Sequence, residues 1–318
     1  MALDANRTIG RVPHAPLVIV NPTAGGGRAA RLIPWLRELL APRPEVELII
    51  TRRAGDAEDR ASVAAERGND RVVAVGGDGT VQEVVNGLLA RGRAVAELGI
   101  VPVGTGNDLA RSLGLPHDPG AAWRIAVGRA STATDVGRAR NGAGDERWFA
   151  SAGGIGFDAQ VAAAMAKRRG WQASRAGYLL TTLGELRRFE NRAVRITLDG
   201  RAIERDVLFV AIANGAYYGG GMRIAPDARA DDGLLDVCVV GDISRLTAVR
   251  ELPNLYRGTH IRHPAVSMHT ATSIEIAGTS ATRVHLDGEP FGTLPLAVEL
   301  VPAAITVAAP QRSATLEA

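Results

Sequence analysis

Residues 76–80, GGDGT, set one carboxylate among glycines at the end of an apolar run and just before a helical pattern. The backbone N–H groups of such a turn, at the start of a helix, suit an anion such as phosphate. A carboxylate beside phosphate is unfavourable unless a cation lies between them, and Mg²⁺ prefers a few carboxylates together with phosphate oxygens. Asp78 therefore predicts either a Mg²⁺-linked phosphate site or, more simply, an ordinary helix N-cap.

Two further glycine turns stand between a predicted strand and a predicted helix. NPTAGGG at 21–27 alone fits a phosphate loop or a plain tight turn equally well. GTGND at 104–108 repeats the arrangement, with Thr105 able to hydrogen-bond phosphate and Asp108 a candidate for the metal network or for an N-cap. No lysine follows the glycines, and the single lysine, Lys167, stands elsewhere. Phosphoryl transfer would therefore rely on backbone amides, arginine and metal rather than on a P-loop lysine.

The fourth stretch, LDGEP at 286–290, holds two acids on either side of a glycine. A carboxylate held near a hydroxyl can accept its proton during phosphoryl transfer, which makes Asp287 and Glu289 candidate general bases. Taken alone, the stretch fits better a β-turn with two solvated acids, because Asp-Gly is a strong turn signal.

The elements around the first three turns alternate between strand and helix. Apolar runs at 16–21, 46–51, 71–77 and 97–104 predict strands, and the segments 28–41, 80–90 and 107–115 between them predict helices. Repeated units with continuously apolar strands predict a parallel sheet covered on both faces. Ligand sites of such sheets lie at the carboxyl ends of the strands, where these turns fall.

The second half has a different pattern. Short apolar or alternating segments separated by turns predict a largely antiparallel sheet or sandwich, and only residues 158–190 look helical between them. The polar, glycine-bearing stretch at 135–147 separates the two halves.

Composition narrows the class of protein. The chain has 318 residues, a formal net charge of +3 and 4% aromatic residues, which does not favour a nucleic-acid partner. Cys238 is the one cysteine, so neither an intrachain disulfide nor a cysteine zinc site is expected. We find no run of about 18 apolar residues and no signal peptide, and we expect a cytoplasmic protein without a transmembrane span.

Together and in this order, the four motifs resemble the diacylglycerol kinase catalytic family, in particular the soluble bacterial lipid kinases related to sphingosine kinases and NAD kinase. FASAGGIGFDAQVA at 149–162 and IANGAYYGGGMRIAPDARADDGLLDV at 212–237 are also similar to family segments. The resemblance implies an α/β nucleotide-binding domain at 1–137, similar to 6-phosphofructokinase, and a β-rich lipid domain at 138–302. A C-terminal segment, 303–318, would pack back on the first domain.

The resemblance also implies roles for single residues, with ATP and Mg²⁺ as cofactors. Glu289, or its close rival Asp287, would be the base, and Asp78 with Asp108 would organise the metal that acts on ATP. A second Mg²⁺, away from the chemistry, would be held by Asp232 and the carbonyls of Arg229 and Leu234. The remaining nucleotide contacts would come from Asn21, Pro22, Thr23, Ala24, Gly25, Thr51, Gly77, Gly79, Thr80, Val81, Gln82, Glu83 and Thr105.

The implied function is transfer of the γ-phosphoryl group of ATP to a lipid hydroxyl, such as that of diacylglycerol. A NAD kinase and a non-catalytic lipid or nucleotide sensor on the same fold are the alternatives. The lipid would be met by transient peripheral contact with a membrane. The basic and aromatic segment 166–189 is a candidate for that contact, with an ordinary amphipathic helix as the alternative. A homodimer is compatible with base rates.

Overall fold

The computed structural model describes residues 15–165, 175–187 and 189–310. The chain has an N-terminal α/β region with parallel strands and a C-terminal region rich in antiparallel strands, which confirms the predicted fold class. Fifteen strands of these described ranges join in one branched sheet.

The N-terminal region is a parallel sheet in the order β2–β1–β3–β4. Its central strands are almost wholly buried because apolar side chains pack on both of their faces. The strands are β1 (Leu17–Val20), β2 (Glu47–Ile50), β3 (Arg71–Gly76) and β4 (Glu97–Pro102). The helices are α1 (Ala24–Leu40), α2 (Asp56–Arg67), α3 (Asp78–Leu88), α4 (Asp108–Ser112) and α5 (Pro119–Ala126).

The C-terminal region is built on the antiparallel order β14–β13–β7–β9–β8–β12–β15, with β10 and β11 branching from β9 and with β5 and β6 branching from β15. Its strands are β5 (Ser131–Arg140), β6 (Glu146–Phe149), β7 (Ala152–Gly156), β8 (Arg192–Leu198), β9 (Arg201–Ala213), β10 (Leu235–Gly241), β11 (Val266–Ala271), β12 (Ser273–Gly278), β13 (Arg283–Leu286), β14 (Glu289–Thr293) and β15 (Leu296–Ala308). The helices are α6 (Phe157–Met165), α7 (Arg175–Leu186) and α8 (Arg245–Arg257).

The long strand β15 links the two regions. It pairs antiparallel with β5 and β12, and near its end Val307 pairs parallel with Leu98 of β4. Strand β5 runs through residue 137 without interruption. The domain limits at 137 and 302 stay a prediction.

Two helices were not predicted. We expected only residues 158–190 to be helical in the second half, and α8 shows that this was wrong. None of the thirteen residues of α8 is buried, and its apolar residues are spread over two sides of the helix, so the sequence does not show the single apolar stripe of a core-facing helix. The short helix α5 was also missed; Asp118 caps its start by accepting a hydrogen bond from the Ala121 N–H at 2.7 Å.

The candidate membrane segment 166–189 falls partly outside the described residues, which exclude 166–174 and 188. Its basic and aromatic cluster at Lys167, Arg168, Arg169 and Trp171 lies in that gap. In the described part of the chain, no helix combines the length and apolar character needed to cross a membrane.

Candidate functional site

The three glycine turns meet at the carboxyl ends of β1, β3 and β4. Asn21 connects the first two turns, because its side-chain amide donates to Thr80 Oγ1 at 3.0 Å. Arg28 connects the first turn to the third by donating to the Gly104 carbonyl at 3.0 Å. Gly25 has φ of +61°, and a Cβ there would lie 2.1 Å from the Val103 carbonyl oxygen, so only glycine fits. The turns therefore form one connected surface.

Asp78 does not cap its own helix. No side-chain cap is made at the start of α3; instead the two Asp78 carboxylate oxygens accept the backbone N–H groups of Asn107 and Asp108, at 2.7 and 2.6 Å. The N-cap interpretation was therefore wrong. Gly106 leaves the room for this contact, since a Cβ there would lie 2.5 Å from Asp78 Oδ2. Each oxygen keeps a second acceptor position.

Asp108 ties the third turn to the C-terminal region. Its carboxylate accepts the N–H groups of Gly220 and Gly221 at 3.1 and 2.9 Å, so neither it nor Asn107 makes a side-chain N-cap of α4. Burial raises the pKa of Asp108 to about 7, and the charge of Asp78 acts in the same direction. Burial also raises the pKa of Asp78. A nearby cation would stabilise the charged forms of these two adjacent carboxyl groups.

Asp287 is held from the other side of the site. It has φ of +48° in the turn between β13 and β14. Its Oδ1 accepts the N–H groups of Ser151 and Ala152, at 2.9 and 3.0 Å, and its Oδ2 accepts that of Ala150 at 3.0 Å. Burial raises the pKa of Asp287 to about 6, although the three N–H groups favour its charged form. The predicted β-turn forms at Asp287 and Gly288 and leaves Glu289 exposed, but the Asp287 carboxylate is hydrogen-bonded inside the protein and is not solvated.

Two depressions share these turns. The first, here named the glycine-loop cleft, is lined by Asn21–Gly25, 51–54, Gly77, Gly79, Thr80, Glu83 and Glu289. The second, the acidic cavity, is lined by four aspartates together with glycines and aromatic side chains. Its aspartates are Asp78, Asp108, Asp158 and Asp287. The GGDGT and LDGE turns each present residues to both, so the two depressions adjoin at these turns.

Most of the predicted nucleotide residues lie on the glycine-loop cleft, with five exceptions. Asp78, Asp108 and Thr105 line the acidic cavity instead. Val81 and Gln82 are buried and line neither depression, and the Gln82 amide donates to the Leu286 carbonyl at 2.9 Å. Glu83 lines the cleft, but its carboxylate accepts the N–H groups of Gly55 and Ala57 at the start of α2.

The predicted second metal position lies apart from both depressions. Arg229 donates to Asp231 at 3.1 Å, and the Leu234 N–H donates to Asp232 at 3.1 Å. Asp135 holds the same segment by accepting the Gly233 N–H at 2.8 Å. The described residues contain no group of three acidic, histidine or cysteine side chains placed for a metal. A site with one carboxylate and two carbonyls stays a prediction.

Sequence reasoning missed a buried pair in the acidic cavity. His285 Nε2 lies 3.1 Å from Asp158 Oδ2, both side chains are buried, and Tyr218 stacks on the imidazole with ring centroids 6.4 Å apart. Burial raises the pKa of Asp158. His285 lies in β13 and its partner is 127 residues away in the sequence, so no local pattern indicated this pair.

A third depression, the apolar cavity, continues from the acidic cavity. Its walls come mainly from α6, α8 and strands β9 and β10, with Phe157, Val161, Leu208, Phe209 and Met222 among them. Asp158, Tyr218 and Tyr256 line both cavities. An apolar space therefore leads to the cluster of acids.

The sequence and fold match known proteins over nearly the whole chain. The family model described as diacylglycerol kinase catalytic domain matches residues 15–139, and that described as YegS C-terminal NAD kinase beta sandwich-like domain matches residues 151–309. A diacylglycerol kinase of Mycobacterium tuberculosis (strain ATCC 25618 / H37Rv) is 34% identical over 296 residues, covering 92% of this chain and 94% of that protein.

A second relative and a solved structure indicate the same family. A protein of Chromohalobacter salexigens named "Probable lipid kinase YegS-like" is 32% identical over 297 residues, or 91% of this chain and 93% of its own. A crystal structure of a diacylglycerol kinase from Bacillus anthracis (strain Sterne) has a TM-score of 0.71 at 27% identity, covering 94% and 97% of the two chains. The chain therefore belongs to the diacylglycerol kinase family of lipid kinases and is a phosphotransferase.

Proposed function

We propose that the protein transfers the γ-phosphoryl group of ATP to the hydroxyl of diacylglycerol or a related lipid. The observation that carries this proposal is the adjacency of three depressions. The glycine-loop cleft meets the acidic cavity at the GGDGT and LDGE turns, and the acidic cavity continues into the apolar cavity. A phosphate donor, a reacting hydroxyl and an acyl chain each have a matching environment in that order.

The phosphates of ATP would lie in the glycine-loop cleft. The turn after β1 and the start of α3 offer backbone N–H groups there, a favourable setting for an anion. Arg52 and Arg53 line the same cleft; because Arg53 pairs with Asp59 at 2.6 Å, Arg52 is the one that would bring the positive charge that a P-loop lysine would otherwise supply. Asn21 fixes the loop by accepting the Thr23 N–H and Oγ1–H groups, at 3.1 and 2.8 Å.

Asp78 and Asp108 fit Mg²⁺. Asp108 is buried and Asp78 half-buried, the charge of Asp78 raises the pKa of Asp108, and Asp78 keeps acceptor positions beyond its two backbone hydrogen bonds. Hard carboxylate oxygens beside phosphate oxygens are the ligand set that Mg²⁺ takes in phosphoryl-transfer enzymes. When bound, the ion would offset the charge of the transferring phosphoryl group. A second Mg²⁺ at Asp232 and the carbonyls of Arg229 and Leu234 would serve structure only.

Asp287 is the base that the geometry favours. It lines the acidic cavity, whereas Glu289 lines the glycine-loop cleft on the side of the phosphates. Oδ1 of Asp287 accepts two hydrogen bonds and Oδ2 only one, so Oδ2 can still accept the proton of a lipid hydroxyl. The three N–H groups hold the carboxylate in place while that proton moves.

Transfer of ³²P from ATP to lipids tests the proposal. We expect the purified protein with Mg²⁺ to label diacylglycerol in mixed micelles, and we expect Asp78→Ala to lose that labelling. The exposed Glu38 of α1 offers a matched control, Glu38→Gln, which should label as the wild type does. Labelling of NAD in place of lipid would favour the NAD kinase alternative, and ATP binding without any turnover would favour a sensor.

A further inference from the structure

Helix α8 lies on the surface, and one of its sides is exposed to solvent. Ser244 caps its start by accepting the Thr247 N–H at 3.1 Å, and Gly258 ends it with φ of +74°. The caps therefore specify a helix although no residue of α8 is buried. The contacts that hold α8 in place must therefore come from only one of its faces.

The inner face of α8 is a wall of the apolar cavity, to which Ala248, Leu252 and Leu255 contribute. A second apolar stripe runs along a different side at spacings of three, four and three residues, which places its members on one side of a helix. This outer stripe consists of Leu246, Val249, Pro253 and Tyr256. Leu246, Val249 and Tyr256 are 59%, 37% and 46% exposed, values that a globular protein rarely gives to neighbouring large apolar side chains.

The charged side chains of α8 beside the outer stripe are all positive. Arg250 and Arg257 are exposed and follow the stripe on its flank at helical spacing. The one acid of α8, Glu251, lies on the side of the apolar cavity and accepts a hydrogen bond from Asn254 at 3.0 Å. An apolar stripe edged by arginine, without carboxylates, complements a surface that is apolar inside and anionic outside.

We propose that the outer face of α8 docks on an anionic phospholipid bilayer. This inference rests on the proposed function, because a lipid acceptor has to leave a bilayer to reach the acids. Tyr256 connects the outer stripe with the cavities, because it is half exposed on the stripe and also lines both the apolar and the acidic cavity. Docking through α8 would set the opening of the apolar cavity against the lipid surface.

Binding of the full chain to vesicles tests the docking surface. The probes are vesicles of phosphatidylcholine with phosphatidylglycerol and vesicles of phosphatidylcholine alone, with the bound fraction read by sedimentation. We expect binding to the anionic vesicles, and a fall of roughly tenfold or more in the partition coefficient of Arg250→Gln/Arg257→Gln. Leu246→Ser/Val249→Ser should reduce partition to both kinds of vesicle.

Matched controls lie on the N-terminal region. Val95 is 52% exposed and Arg31 of α1 is exposed, so Val95→Ser and Arg31→Gln remove the same kinds of group elsewhere. They should partition as the wild type does. Equal partition of the α8 variants and the wild type, or an equal loss in the controls, would overturn the proposal.

A second readout separates this proposal from the proposed function. The α8 variants should phosphorylate a short-chain, dispersed diacylglycerol at the wild-type rate while losing activity on the same lipid in anionic vesicles. Their circular dichroism and melting temperature should match the wild type. If no lipid is phosphorylated by any form and vesicle binding still depends on α8, the proposed function fails and the docking surface stands.

Discussion

The glycine-loop cleft and the two cavities that continue from it are built on different principles. The cleft consists of short turns of mostly small residues, whose backbone amides would bind phosphate in the proposed function, and local sequence specifies each turn. The cavities consist of side chains that come from distant strands and helices, such as Asp158 and His285, which are 127 residues apart. A local motif in the sequence can therefore indicate the cleft, whereas the walls of the cavities depend on the complete fold.

The largest expected effect is on the feature that both regions share. Asp78 accepts the N–H groups of the third turn and also lines the acidic cavity. Replacing it with alanine should lower kcat by about 10³-fold or more, because positioning and charge compensation are lost together. Steady-state kinetics with Glu38→Gln as the control measures this. A loss confined to the KM for ATP would place Asp78 in the cleft alone.

Asp287→Asn should lower kcat by about 10²-fold or more, because the amide cannot accept the proton of the hydroxyl. Glu289→Gln should instead act through the KM for ATP, since Glu289 lines the cleft. Comparing kcat and KM of the two variants at saturating lipid separates the roles. The reverse pattern would make Glu289 the base and contradict the assignment of Asp287 to the acceptor side.

The pH profile should reflect the buried base. Asp287 acts as a carboxylate and its pKa is raised by burial to about 6, so kcat/KM should fall about tenfold per pH unit below that value. The raised pKa also means that the folded protein binds this proton more tightly than the unfolded chain. The contribution of Asp287 to the free energy of unfolding is therefore present at low pH and is lost as the pH rises from 3.8 to about 6. Asp287→Asn should remove the part of both dependences that is centred near 6, whereas the part that comes from Asp108, whose pKa burial raises to about 7, should remain. Rate measurements and thermal melts check this.

A smaller effect is expected from the buried pair of the acidic cavity. His285→Gln and Asp158→Asn should each raise the KM for the lipid by about tenfold, because a buried hydrogen bond beside the acceptor is weakened. The KM for ATP should stay unchanged, since neither residue lines the glycine-loop cleft. Equal changes in both KM values would show that the pair supports the whole fold rather than the acceptor side.

The smallest effect concerns the apolar cavity. Ala248 lines it from the half-buried face of α8, where a larger side chain can enter without displacing the main core. Ala248→Phe should lower kcat/KM for long-chain diacylglycerol by about fivefold relative to a short-chain acceptor, because the smallest effect of an apolar group in such a pocket is about 1 kcal/mol. An unchanged chain-length preference would separate this cavity from the acyl chain.

The sequence predicted the cleft better than the cavities for a physical reason. Strand ends and glycine turns are local, so the meeting of Asn21, Asp78 and Asp108 followed from one assumption, a parallel sheet. The partner of Asp78 could not be predicted, because its bonds run to backbone N–H groups of another turn. The pair of Asp158 and His285 depends on the register of β7 and β13, which no local pattern shows. Helix α8 has no fully buried residue and carries apolar residues on two of its sides, so it did not show the single apolar stripe on which the helix predictions rested.

The central claim is that a phosphate cleft, a set of acids and an apolar cavity act on one lipid hydroxyl. Mass spectrometry of the products formed from ATP, Mg²⁺, a total lipid extract and NAD in one mixture tests it most directly. The account predicts a phosphorylated lipid that bears a former free hydroxyl, with phosphatidic acid from diacylglycerol as the leading product, and no product with Asp78→Ala. A product from NAD with an unchanged lipid pool would contradict it.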